Sequence, residues 1–127
     1  MAVEYQKYTS VKIAVVTLTS DSGGDVAQGI EVDGQLIKVV TNPDGDDAPD
    51  ADWDLTLVDD DGLDVAQGLL ADRHTSNSEE VYLFEEVTLG GTGTDAAALP
   101  IYHSGTLTVT GDNMGATKTA VVKVFYR

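Results

Sequence analysis

Apolar and polar residues alternate most cleanly over residues 53–58: Trp53, Leu55 and Leu57 fall on one side of an extended chain, Asp54, Thr56 and Val58 on the other. A period of two marks a strand with one buried face. Residues 11–19, 35–41, 105–111 and 119–127 are rich in β-branched side chains and read as further strands. Residues 11–19 are largely apolar on both faces, which predicts a central place in a sheet or a subunit contact. Residues 1–10 read as an arm or a first edge strand, and 25–33 as a weak strand at best. Residues 79–89 hold one bent strand or two short ones. Leu99 to Tyr102 is short and extended, and Pro100, lacking an N–H donor, suits an edge.

One stretch has a different period. Leu63, Ala66, Leu69 and Leu70 recur at helical spacing over 62–73, preceded by Asp59, Asp60 and Asp61, where a helix dipole favours negative charge. A short helix is expected there, weakened at Gly68 by about 1 kcal/mol relative to alanine. Asn42-Pro43-Asp44-Gly45 has turn chemistry and leads into an acidic loop over 46–52. The expectation is therefore a single all-β domain over residues 1–127, an antiparallel β-sandwich or jelly-roll-like barrel of about seven strands with one short helix near residues 62–73. Asp25-Val26-Ala27-Gln28-Gly29 recurs as Asp64-Val65-Ala66-Gln67-Gly68. The flanking residues differ, and a stacked repeat would recur at least three times. The echo is read as coincidence.

Charge narrows the partners. Twenty-two acidic residues against seven basic ones give a formal net charge of −15. Binding nucleic acid needs cations to replace phosphate counterions, so neither nucleic acid nor an anionic membrane surface is an expected partner. In molar salt the Debye length falls to about 3 Å and self-repulsion is screened, so a saline working environment fits this composition. There are no cysteines, which removes disulfides and thiolate metal sites. No apolar run reaches the ~18 residues needed to span a bilayer. The first eight residues lack a hydrophobic signal core, so no cleaved leader is expected.

Candidate chemistry is sparse. His74 and His103 are the only histidines; His103-Ser104-Gly105 carries a histidine and a serine without the Gly-x-Ser-x-Gly elbow, and neighbours on a strand point to opposite faces. Both histidines are read as surface or loop residues, and no enzymatic activity is expected. Gly90-Gly91-Thr92-Gly93-Thr94 lacks the lysine of a phosphate-binding loop and reads as a linker. Asp44, Asp46, Asp47, Asp50, Asp52, Asp59, Asp60, Asp61 and Asp64 supply oxygens of the kind calcium takes. They form two groups at opposite ends of a strand about 20 Å long. A solvated acidic surface is the expectation, with calcium the alternative and no other cofactor. Tyr5, Tyr8, Tyr82, Phe84, Tyr102, Phe125 and Tyr126 could stack on sugars, although packing is the commoner use of strand aromatics.

Residues 5–13, the run Gly34-Gln35-Leu36-Ile37-Lys38-Val39-Val40-Thr41-Asn42-Pro43, and Trp53-Asp54-Leu55-Thr56-Leu57-Val58-Asp59 resemble segments of small structural proteins of tailed viruses. The closing strands over 105–127 share the likeness. The acidity departs from bacterial phage relatives and points to a halophilic, archaeal host. The resemblance implies a virion component without enzymatic activity, most simply a capsid decoration (cement) protein on the major capsid protein lattice. It would be assembled in the host cytoplasm and act as a homo-oligomer such as a trimer. A tail, neck or spike component, or a calcium- or carbohydrate-binding β-module, are the alternatives.

Overall fold

A computed structural model describes residues 2–8, 10–88 and 96–127. Nine strands occur there: β1 (Ala2–Lys7), β2 (Lys12–Thr19), β3 (Val26–Pro43), β4 (Asp54–Val58), β5 (Glu79–Tyr82), β6 (Glu85–Thr88), β7 (Ala96–Leu99), β8 (Ile101–Asp112) and β9 (Thr119–Tyr126). Seven form one antiparallel sheet in the order β1-β2-β9-β3-β8-β4, with β5 added beside β3; β6 and β7 pair only with each other.

The sheet turns on β3. The first half of this strand pairs with β8 from Val26 to Leu36; the second pairs with β9 on one side and, from Lys38 to Thr41, with β5. A register shift from Leu36 to Lys38 separates the halves, and Gly34, at φ 137°, lies just before it. A Cβ on Gly34 would lie 2.2 Å from the carbonyl oxygen of Arg127, a backbone atom that cannot step aside. Only glycine permits so close an approach in that conformation. Gln35 N–H donates to Arg127 O at 2.7 Å, and Arg127 N–H donates back at 3.0 Å, fastening the chain's last residue to the kink.

One strand thus serves two leaflets, β1-β2-β9-β3-β5 and β3-β8-β4, that fold over one core in a sandwich-like arrangement. Ala14, Val16 and Leu18 of β2, Ala120, Val122 and Val124 of β9, and Val39 of β3 join Ile30, Val32, Leu55, Leu57, Leu107 and Val109 in a single buried cluster. Burial of each leucine, isoleucine or valine contributes roughly 1.5–3 kcal/mol. Trp53 lies at the head of this cluster, fully buried as its alternation with Leu55 and Leu57 predicts, and its indole N–H donates to His74 O at 3.2 Å.

Two expectations need correction. No helix forms over 62–73. Gly62, Gln67, Gly68 and Asp72 all have positive φ there, and the carboxylate of Asp64 takes the N–H groups of Ala66 and Gly68 that a helix would need. Residues 25–33 belong to a full strand rather than a weak one. Ile101 and Tyr102 open β8 and pair with Leu36 and Gln35 of β3, while β4 pairs with β8 only from Thr108 to Asp112, so the start of β8 has a strand on one side among the described residues. Residues 79–89 divide into the two short strands β5 and β6, which belong to different sheets; the linker expected at 90–94 lies outside the described residues.

Candidate functional site

The histidine–serine neighbours of β8 do not cooperate. The Ser104 hydroxyl donates to Asp33 Oδ1 at 2.9 Å, and the same oxygen accepts Gly105 N–H at 3.1 Å. His103 Nε2 lies 3.1 Å from Thr106 O, a carbonyl, so this nitrogen carries the proton. A nucleophile needs its hydroxyl proton directed at a base that is itself oriented by a third group. Here the serine is held by a carboxylate and the imidazole by backbone. His74 is also structural: its Nδ1 accepts Ser76 N–H at 3.0 Å and Asn77 N–H at 2.9 Å, closing a turn.

Four aspartates are likewise engaged with their own backbone. Asp21 Oδ1 accepts from Gly23 and Asp25, Asp44 Oδ2 from Asp46 and Asp47, Asp59 Oδ1 from Asp61 and Leu63. Asp64 goes furthest, taking the N–H groups of Leu57 and Ala66 on one oxygen and Gly68 on the other. Aspartate suits this because its short side chain reaches the N–H two residues on, a turn glutamate closes less well. Asp47 N–H, and then that of Asp46, hold the Asp44 carboxyl below its ordinary range. Among the described residues, no three histidine, aspartate or glutamate side chains are grouped so as to hold a metal ion. Asp46, Asp47, Asp50, Asp52, Asp60 and Asp61 are exposed.

A third acidic arrangement was not visible in the sequence. Asp54 and Asp112 are cross-strand partners, and Asp25 lies one step beyond the Val26–Gly111 pair on the other flank of β8. The three carboxyls form a row across β3, β8 and β4. Partial burial first, then the charges of Asp25 and Asp54, push Asp112 above the usual carboxylate range.

Among the described residues, two of the surface clefts are of a size to note, and both are open. One, of about 380 Å³, is lined by Leu63, Val65, Gln67 and Ile101 with Asp59 and Asp64, whose oxygens already serve backbone. The other, of about 260 Å³, lies beside Asp21, Asp25, Val26 and Thr110.

A five-stranded surface with consistent chemistry is the outward face of the β1-β2-β9-β3-β5 leaflet. Pairing registers place its side chains in rows. One row runs Gln6, Ile13, Phe125, Lys38, Tyr82; the next runs Glu4, Val15, Lys123, Val40, Glu80; a third holds Thr17, Val121 and Asn42. Ile13 is the one buried apolar side chain among the described residues that lies outside the core cluster, at 8% exposure. Lys38 is held in place: its Nζ is 2.6 Å from Glu80 Oε1 and 4.7 Å above the Phe125 ring. That hydrogen bond raises the lysine's pKa and, with Tyr82, lowers that of Glu80. Of the aromatics considered for sugar stacking, Phe125 and Tyr82 belong to this face; Tyr126 points into the core, while Tyr102 is 71% exposed beside Gln35. Tyr5 OH accepts Glu31 N–H at 3.2 Å. The two lysines were legible as outward residues of their strands, but only the registers bring them to one face.

No known family model matches the chain, and no characterised protein matches it in sequence.

Proposed function

We propose that this chain is a non-enzymatic virion structural protein, a capsid decoration protein that binds the major capsid protein lattice. The observation that carries the reading is the outward leaflet face: a pleated surface of half-buried apolar side chains with two lysines, on a body whose net charge is −15. Such a face gives a lattice-binding protein apolar contact, while its acidic turns face solvent and keep particles apart. Supporting it, the segments that carry the resemblance to tailed-virus proteins are framework strands, in β1 and β2, in the second half of β3, and in β4. The side chains that chemistry would recruit, Ser104, His103 and His74, are tied into local hydrogen bonds instead. Quantitative mass spectrometry of purified particles from the source virus tests the reading. Hundreds of copies per particle are expected; six or twelve would move the protein to the neck or tail, and absence from particles would end the proposal.

A further inference from the structure

The outward leaflet face is charge-antisymmetric about β2. Glu4, Val15 and Lys123 share one row, so the acid and the cation stand one strand spacing either side of the central valine, each about 4.8 Å from β2. Among the described residues neither charge has an ion-pair partner, the two bridges present being Lys38–Glu80 and Arg73–Glu79. The neighbouring row is Gln6, Ile13, Phe125, which puts Ile13 beside Val15 along the centre of the face.

We infer that this face binds a second copy of the chain, through a two-fold axis running along β2. A rotation about that axis leaves β2 over β2 and exchanges β1 with β9. Glu4 of each copy then meets Lys123 of the other, twice, and the half-buried Val15 of the two copies close against each other between the pairs, over Ile13, which is already buried within each chain. The contact is isologous, as a two-fold requires: residue i meets j and j meets i. An axis along β9 would put Lys123 over Lys123, so the pattern selects β2. Three strands and about six residues give a footprint near 14 by 20 Å, below the usual size of a tight interface, so the dimer is weak and concentration-dependent. Two copies at −15 repel each other; salt screens that long-range term more than the close Glu4–Lys123 pairs, so association strengthens as salt rises. The inference does not rest on the virion reading, and mass spectrometry of particles leaves it untouched; because the dimer covers β1, β2 and β9, those strands meet either a second copy or a lattice, not both at once.

Sedimentation equilibrium of the full chain, over rising protein concentration at about 0.1 M and about 1 M salt, tests it. The average mass is expected to climb towards two chains, further at the higher salt. Glu4→Lys or Lys123→Glu alone sets like charges opposite each other at both contacts and should weaken the dimer about tenfold or more. The double variant Glu4→Lys/Lys123→Glu should restore it. Asp60→Lys, which makes the same change in net charge as Glu4→Lys at an exposed turn, should not weaken the dimer, and circular dichroism checks that each variant is folded. A chain that stays single at every concentration and salt overturns the inference. So does a mass approaching three chains, or a double variant no better associated than the single ones.

Discussion

Two outer strands of the main sheet, β1 and β4, are finished in opposite ways. β4 is covered by its own chain. Residues 59–73 run back along its outer side and satisfy it bond by bond: Val65 N–H to Leu57 O at 2.8 Å, Leu55 N–H to Leu70 O at 3.1 Å, Arg73 N–H to Trp53 O at 2.6 Å, and Leu57 N–H to the Asp64 carboxylate at 3.1 Å. Ala66 and Leu70 are fully buried beneath this coil and hold it down. β1 pairs with β2 and, among the described residues, has no second strand beside it. An open edge is a template for another chain unless charge or covering blocks it. The contrast teaches that the apolar spacing over 59–73 serves edge coverage, and that β1 relies on Glu4 and Lys7 where β4 relies on a coil.

The largest disruption of this arrangement is expected from Trp53→Ala. It empties the largest fully buried side chain and removes the indole N–H that binds His74 O, loosening both β4 and the end of the coil. A loss of about 3–5 kcal/mol is expected, measured by urea unfolding. Leu70→Ala removes the anchor of the coil alone and should cost about 2–4 kcal/mol. It also separates the edges: hydrogen exchange at Leu55 and Leu57 should quicken towards the rate of β1 amides, while the β2–β9 pair stays protected. If Leu55 and Leu57 keep their protection in Leu70→Ala, the coil is not what covers β4.

Asp64→Ala acts one level lower. It leaves the apolar anchors in place and withdraws the acceptor from three N–H groups, of which Leu57 belongs to β4. About 1–3 kcal/mol is expected, because partly buried donors lose their partner. Asp64→Asn keeps a carbonyl acceptor for Leu57 and Ala66 but sets an NH2 donor against Gly68 N–H, so it should recover part of that stability, and a variant no better than alanine would show that both carboxylate oxygens are needed.

How much of this was readable beforehand differs by region for physical reasons. The Trp53 strand was legible because one face is buried and the other wet, which writes period two directly into the sequence. The coil was misread because Ala66 and Leu70 do stand four apart, and an anchored coil and a helix can share that spacing. The deciding signal was local: Gly62 and Gly68 at positive φ, and an aspartate placed two residues before an N–H it could hold. That Asp-x-x motif recurs at Asp21, Asp44 and Asp59, so a part of the exposed acidity also builds turns. The first half of β3 was obscured by Gly29 and Gly34, although Ile30 and Val32 kept the alternation of buried residues with exposed Glu31 and Asp33. The outward face and the acid row depend on register, which hydrophobic pattern sets only modulo two and cannot assign to particular neighbours.

The smallest effect expected at the β4 edge concerns that acid row, and its sign is opposite to that of the turn aspartates. Asp112 titrates above its ordinary range because burial, and then Asp25 and Asp54, disfavour its charge. A carboxyl whose folded pKa is raised contributes stability that is present below the unfolded value and is lost as pH rises through the folded one. Ionised Asp112 therefore weakens the fold at neutral pH. Asp112→Asn removes the charge and keeps a donor for Asp25, so it should raise the thermal midpoint at neutral pH, with the advantage over wild type shrinking as pH falls through the carboxylate range. Asp44 behaves the other way: held low by two N–H groups, it contributes stability above the unfolded pKa that disappears on acidification, so Asp44→Asn should be neutral or harmful at pH 7. Thermal melts of both variants across pH distinguish the two kinds of aspartate. Parallel pH profiles for Asp112→Asn and wild type would mean that the row carries no repulsion, and that like charges on adjacent strands are relieved by solvent alone.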